Sequence, residues 1–274
     1  MRNFHDKVAF VTGGASGLGF ALARALGRAQ MKVMLADIDV DSLENAVAEL
    51  KKDQISVRGV ECDVSDRTSV QRAASETLAA FGKVHVVCNN AGPFCGGALE
   101  LTTPGDCDWI IGVDLMGTIY GCQTFLPHIK AHGEGGHIVS TASVSGMFPV
   151  PGAAIHNAAK AGIVALSQTL AAELAGTSIG VSVLVPGFFR SRLADREHTD
   201  RIRPKRFGER TTMASPEGRA QMEALVRAGM DPDEVAERVM HGIKENQLYI
   251  FSHPEWRSTL EQHYQQILAA YPTA

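Results

Sequence analysis

The stretch TGGASGLG, residues 12–19, follows the apolar run KVAFVT (7–12) and opens the amphipathic run GLGFALARALGRAQ (17–30). A glycine-rich turn between a strand and a helix lets the backbone approach a diphosphate closely. It also aims the unpaired amides of the helix N-terminus at the negative charge. The glycines are Gly13, Gly14, Gly17 and Gly19, spaced G-x-x-x-G-x-G rather than G-x-G-x-x-G. Such turns also serve tight packing, so the motif alone leaves both readings open.

Working outward, the same alternation repeats along the chain. Six further runs read as strands: KVMLA (32–36), SVRGVE (56–61), VHVVCN (84–89), GHIVST (136–141), VSVLVP (181–186) and LYIF (248–251). Several are almost wholly apolar, as strands covered on both faces of a parallel sheet must be. Between them DSLENAVAELKKD (41–53), DRTSVQRAASETLAAFG (66–82), DWIIGVDLMGTIYGCQTFLPHIKAH (108–132) and NAAKAGIVALSQTLAAELAG (157–176) carry apolar residues at helical spacing. Asp41 and Asp66 suit N-caps, and Gly82 and Gly176 suit helix stops. Repeated βα units imply right-handed crossovers, hence an α/β, doubly wound, Rossmann-type parallel sheet of seven strands with helices on both faces. In such sheets ligands sit beyond the carboxyl ends of the strands.

The 274 residues suit one domain spanning 1–274 better than two. With 26 basic and 30 acidic side chains, net charge −4 and 45% hydrophobic residues, the composition is that of an ordinary soluble protein and does not point to nucleic acid. No run approaches the ~18 apolar residues of a membrane span, and the first residues lack a signal-peptide core. The five cysteines (Cys62, Cys88, Cys95, Cys107, Cys122) show no metal-ligand spacing, so reduced thiols, no metal and a cytoplasmic location are expected.

Asp37 closes the second strand twenty residues after Gly17, where a carboxylate can accept hydrogen bonds from an adenosine ribose and would repel a 2′-phosphate. Neither Ala15 nor Ser16 is basic and no arginine follows Asp37, so NAD is favoured over NADP. A solvated strand-end aspartate is the alternative, and Asp39 competes for the assignment.

With these residues in place, the chain resembles the short-chain dehydrogenase/reductase family from residue 7 to about 190, and more faintly beyond. TGGASGLG is similar to that family's cofactor loop, CDV (62–64) to its adenine-side contact, NNAG (89–92) to its fourth-strand motif, and PG (186–187) to its nicotinamide-side turn. The resemblance implies cofactor contacts at Gly13, Ser16, Gly17, Leu18, Gly19, Asp37, Asp63, Val64, Asn90, Ala91, Gly92, Lys160, Pro186, Gly187, Phe189 and Ser191.

That family works with asparagine, serine, tyrosine and lysine, the tyrosine four before the lysine and the serine thirteen before the tyrosine. Counting back from Lys160 gives position 156 and then Ser143; serine and lysine are present, but His156 stands in the tyrosine's place. In VDLMG (113–117), Asp114 stands where the family has asparagine. A phenol, with pKa near 10, needs a lysine's help to act as a base, whereas imidazole, near 6.5, is already largely a free base at neutral pH. His156 is therefore a candidate general acid/base. Its ring reaches less far than a tyrosine hydroxyl, which asks for a deeper substrate or a bridging water, since about 1 Å of misplacement can cost a hundredfold in rate. Asp114 beside His156 would favour imidazolium and Lys160 would disfavour it. His156 could instead line a cavity in an enzyme whose redox activity has decayed, serve a non-redox step, or be an introduced substitution. Ser143 also suits a plain turn and Lys160 a solvated helix face.

Phe94, Met147, Phe148 and Phe188, with Met213, supply an apolar, partly aromatic lining, which fits a bulky hydrophobic or aromatic alcohol or ketone. Some of these residues also suit plain core. Residues 190–230 fall where the family has a mobile substrate lid. Within them SRLADREHTDRIRPKRFGER (191–210) carries seven basic against four acidic residues, which reads as a solvated segment with internal ion pairs or as an attraction for an anionic substrate. The tail (248–270) ends in an amphipathic helix, and the resemblance implies a homodimer or homotetramer. The expectation is an NAD-dependent oxidoreductase interconverting hydroxyl and carbonyl groups on a hydrophobic small molecule. A lyase, isomerase or dehydratase using His156 and Asp114, or a catalytically silent NAD-binding protein, are the alternatives.

Overall fold

The computed structural model describes residues 1–209 and 216–272. Seven parallel strands form one sheet in the order β3-β2-β1-β4-β5-β6-β7. They are β1 (Val8–Thr12), β2 (Lys32–Asp37), β3 (Val57–Glu61), β4 (Val86–Asn89), β5 (Gly136–Thr141), β6 (Ile179–Val185) and β7 (Tyr249–Phe251), so every predicted strand is present. The chain reverses its winding between β1 and β4, which opens a crevice at their carboxyl ends.

Strand alternation sorts the core into two layers. Ala9, Val11, Val33, Leu35, Val86, Cys88 and Val139 face α1 (Gly17–Arg28), α2 (Val40–Lys52) and α9 (Pro232–Glu245). Phe10, Met34, Ala36, Val87 and Ile138 face α3 (Arg67–Phe81), α5 (Gly117–His132) and α6 (Ala154–Glu173). On this second face Phe10 and Phe125 meet with ring centroids 4.4 Å apart. Full burial of a side chain of that size contributes roughly 1.5–3 kcal/mol.

Helix ends obey local chemistry, with three departures from expectation. Asp66 caps α3 by accepting the Thr68 amide hydrogen, and Gly82 ends it at φ +79°, as predicted. Asp39, not Asp41, caps α2: its carboxylate accepts the Ser42 amide hydrogen, and Asp41 lies in the first turn where it favours the helix dipole. Helix α6 stops at Glu173, short of Gly176. The long predicted helix at 108–132 is three pieces in line: α4 (Pro104–Ile110), capped by Thr103, a π-helical turn over Ile111–Met116, and α5. The extra residue of a π-turn rotates the helix beyond it, and such turns recur at functional sites. Asp114 sits in this one.

Beyond β6 the chain forms α7 (Arg196–Ile202), α8 (Pro216–Ala228), α9, β7 and α10 (Arg257–Ala269). No helix among the described residues is long and apolar enough to cross a membrane. All five cysteines are free, and Cys62, Cys88 and Cys122 are buried. Burial pushes the Cys88 thiol up to about 12, which makes it inert.

Candidate active site

The glycine-rich turn forms as its sequence asks. Gly13 and Gly17 take left-handed conformations, φ +62° and +53°, which a side chain would strain. A side-chain carbon on Gly13 would also come within 3.0 Å of the Ala91 Cα, so the turn and the NNAG segment are in contact. Thr12 makes them one unit: its Oγ1 accepts the amide hydrogens of Asn90 and Ala91 at 2.9 and 3.0 Å, and Asn90 Nδ2 donates to the Thr12 carbonyl at 3.1 Å. Asn90 thus serves as a buttress of the turn, and Thr12 is a positioning residue that sequence reasoning passes over.

One cleft of about 320 Å³ runs along the strand ends. Of the predicted cofactor contacts, Gly13, Ser16, Gly17, Leu18, Asp37, Asp63, Val64, Asn90, Ala91, Gly92, Lys160, Pro186, Gly187, Phe189 and Ser191 all line it. Gly19 does not. A side-chain carbon there would fall 2.0 Å from the Gly13 carbonyl oxygen, so Gly19 packs beneath the turn and lets it close.

At the cleft's far end Asp37 and Asp39 separate cleanly. Asp37 lines the cleft; its carboxylate accepts the Ala15 and Asp39 amide hydrogens at 3.0 Å each, and burial raises its pKa. Asp39 is buried and turned to Arg201, which grips it with two hydrogen bonds of 2.7 and 2.6 Å. Burial alone would raise the Asp39 carboxyl, but the Arg201 guanidinium and the Ser42 bonds bring it down to about 2. Asp63 keeps one oxygen for Ser65 and the other for Arg206, 2.7 Å away.

The basic segment after β6 therefore does more than pair within itself. Arg192–Asp195 and Arg196–Asp200 are internal, as expected. Arg201, Arg203 and Arg206 instead reach the body of the domain, at Asp39, Asp106 and Asp63. The Arg203–Asp106 pair is buried at 2.7 Å, with the guanidinium over the Trp109 ring. These links lay α7 along the cleft, where His198, Thr199 and Ile202 form part of its wall. The Arg201, Arg203 and Arg206 side chains are thus committed to the body of the domain.

At the opposite end lie the four residues that the family resemblance singles out. Ser143, His156 and Lys160 line the cleft, while Asp114 is wholly buried behind them. His156 Nδ1 lies 3.2 Å from Asp114 Oδ2, and Lys160 Nζ lies 3.5 Å from the same oxygen. Lys160 Nζ also donates to the Thr141 carbonyl at 3.1 Å. Neither Asp114 side-chain oxygen has a well-formed hydrogen bond, so this enclosed carboxylate depends on those two neighbours. Gly92 makes room for it: a side-chain carbon there would meet Asp114 Oδ1 at 2.7 Å and Lys160 Nζ at 3.1 Å. Ser143 Oγ accepts the Ser145 amide hydrogen, which leaves its O–H to donate into the cleft. The arrangement places one base-bearing ring, one hydroxyl donor and one ammonium beside the cleft, with a carboxylate at the ring's back.

The apolar wall holds Phe94, Phe148 and Phe188 as predicted. Phe94 stands edge-on to the His156 ring with centroids 5.2 Å apart. Met147 is a correction: it packs against Ala142, Ile163 and Val183 of the core and is absent from the cleft lining. Met213 lies outside the described residues. Trp109 and Trp256, missed in the sequence, line the cleft; Trp256 packs against Phe148 with centroids 5.7 Å apart. Their bulk and aromaticity were the available sign.

Elsewhere His85, His132 and Glu134 bring possible metal ligands together. Their lone pairs are already used: His85 Nδ1 accepts the Val8 amide hydrogen, His132 Nδ1 accepts that of Glu134, and Lys7 and Lys83 hold the Glu134 carboxylate. The group reads as a hydrogen-bonded tie.

A parallel sheet with this order and a glycine turn at its switch point define a dinucleotide-binding fold of the doubly wound class. A family profile for short chain dehydrogenases matches residues 7–202. The chain belongs to the short-chain dehydrogenase/reductase family, whose members bind NAD or NADP. It is 39% identical over 98% of its length to a C alpha-dehydrogenase of Sphingobium sp. strain SYK-6, of which it covers 87%. It is 30% identical over 97% of its length to a 1-deoxy-11-beta-hydroxypentalenate dehydrogenase of Streptomyces avermitilis, of which it covers 91%. Among solved structures, a short-chain dehydrogenase/reductase from Burkholderia phymatum in complex with NAD superposes with TM-score 0.93 at 37% identity, over 100% of this chain and 99% of that one.

Proposed function

We propose that the protein is an NAD-dependent oxidoreductase that interconverts a hydroxyl and a carbonyl group on a hydrophobic, aromatic small molecule, with His156 as general acid/base. The observation that carries this reading is the 3.2 Å approach of the buried Asp114 carboxylate to His156 Nδ1. A carboxylate beside one imidazole nitrogen stabilises the imidazolium that forms when the other nitrogen takes a proton.

The residues fit the cofactor. Gly13 and Gly17 clear the approach to the diphosphate, the N-terminus of α1 faces it, and Asp37 offers a carboxylate to the adenosine ribose while disfavouring a 2′-phosphate. When bound, the nicotinamide accepts or returns the hydride. Ser143 donates its hydroxyl hydrogen to the reacting oxygen, His156 Nε2 takes the alcohol proton, and Lys160 contributes a positive charge beside them. Phe94, Phe148 and Trp256 exclude water and favour an aromatic group. The C alpha-dehydrogenase and hydroxypentalenate dehydrogenase activities of the relatives accord with a hydroxyl substrate.

The test is nicotinamide absorbance with NAD or NADP across a panel of aromatic secondary alcohols and ketones. Turnover with NAD preferred is the expected result. Product formation without net reduction of NAD would favour a lyase, isomerase or dehydratase. Dinucleotide binding with no chemistry would mark a silent binding protein.

A further inference from the structure

The segment after β7 reaches back beneath the turn that succeeds β6. His253 is buried there and uses both ring nitrogens on that turn. Its Nδ1 accepts the Gly187 amide hydrogen at 3.0 Å and also meets the Ser252 hydroxyl at 2.7 Å, and its Nε2 donates to the Phe188 carbonyl at 2.8 Å. These partners place the ring hydrogen on Nε2. The two peptide groups fixed in this way flank residues 187 and 188, so the ring sets the orientation of both. A side-chain carbon on Gly187 would fall 2.9 Å from His253 Cγ and from Trp256 Nε1, so the imidazole and the indole press directly on the turn.

The turn is tied onward to the catalytic group. The Phe188 carbonyl also accepts the Met230 amide hydrogen, and the Pro186 carbonyl accepts that of Val144 at 3.0 Å each. Val144 is the residue after Ser143. One chain of hydrogen bonds therefore connects the C-terminal segment, the turn that borders the cleft and the loop that carries the serine.

We propose that His253 is a positioning residue, which sets the Pro186–Phe188 turn against the pyridine half of the dinucleotide and, through Pro186, the loop of Ser143. The proposal rests on the oxidoreductase reading, in which this turn borders the nicotinamide. The ring touches neither substrate nor cofactor; it acts through the two peptide groups it holds.

The test titrates wild type, His253→Ala, His253→Asn and His253→Gln with NADH, monitored by the fluorescence of its nicotinamide ring, and in parallel with ADP-ribose, which lacks that ring. His253→Ala is expected to weaken NADH roughly tenfold and to leave ADP-ribose unchanged, with a lower kcat on the alcohol panel. Asparagine can replace the Nδ1 acceptor and glutamine the Nε2 donor, so each recovers part of the loss. Should the alanine variant fail to fold, the asparagine and glutamine variants carry the same comparison. NADH and ADP-ribose weakened equally, or both unchanged with turnover intact, would overturn the proposal. A wild-type protein that bound no dinucleotide would overturn the oxidoreductase reading as well, which separates that failure from the others.

Discussion

The carboxylate of Asp114 and the imidazole of His156 come within 3.2 Å of one another, at the two positions where the family resemblance leads one to expect asparagine and tyrosine. The two residues are thus a pair in space. Asp114 is brought there by the π-turn at Ile111–Met116 and His156 by the first turn of α6. Asp114→Asn is predicted to lower kcat about a hundredfold or more, because the amide no longer stabilises the imidazolium, while the dissociation constant for NAD changes little. Equal losses in kcat and NAD affinity would show instead that Asp114 only holds the cleft together.

Gly92 is predicted to be irreplaceable for the same reason. In Gly92→Ala the new methyl must displace Asp114 Oδ1, 2.7 Å away, or Lys160 Nζ, 3.1 Å away. The expected outcome is a native circular dichroism spectrum with kcat reduced about tenfold or more, since small misplacements of reacting groups are costly. Full activity in Gly92→Ala would contradict the close packing of this cluster.

Trp256 packs against Phe148 in the apolar wall of the cleft. Trp256→Ala is predicted to reduce kcat/KM for aryl alcohols about tenfold and to affect small aliphatic alcohols much less. A uniform loss across both groups would remove the aromatic preference from this wall.

Asp39 and Arg201 hold α7 to the β2–α2 turn. The folded Asp39 carboxyl, at about 2, lies below its ordinary value of 3.8, so the unfolded chain takes up the proton first as pH falls. The stability this group contributes is complete above that ordinary value and is lost as pH falls through the folded value. Asp39→Asn should be less stable than wild type at neutral pH, with the difference in thermal midpoint shrinking below pH 3.8 and vanishing near 2. A difference that stays constant across this range would exclude the ion pair as its source.

Much of this architecture was legible because it rests on short-range rules. The seven strands announce themselves as apolar runs, and TGGASGLG fixes where the ligand cleft opens. The positions of Ser143, His156 and Lys160 followed from the family resemblance, whose spacing falls here on one loop and one helix. The misses have physical causes too. Helix α9 has a full local signature, with Asp231 as N-cap, Pro232 in its first turn and Val235, Ala236, Val239, Met240 and Ile243 on one face, yet it adjoins a stretch that family resemblance marks as lid. The π-turn has no periodicity of its own, since one extra residue in a helix is set by the groups that pack on it. Met147 and Phe148 are neighbours of similar hydrophobicity, and only the backbone decides that Phe148 is buried along the cleft while Met147 lies half-buried against a core cluster beside it. The outward pairing of Arg201, Arg203 and Arg206 joins residues 97 to 162 positions apart, beyond the reach of any local pattern.

The most direct test of proton transfer by His156 is the turnover of His156→Ala with NAD and an aryl alcohol, measured with and without added imidazole. Imidazole acting as a proton acceptor within the cleft predicts a loss of at least about a hundredfold in kcat, unchanged NAD binding, and partial recovery when free imidazole fills the space left by the ring. An alanine variant that turns over as fast as wild type would contradict the assignment.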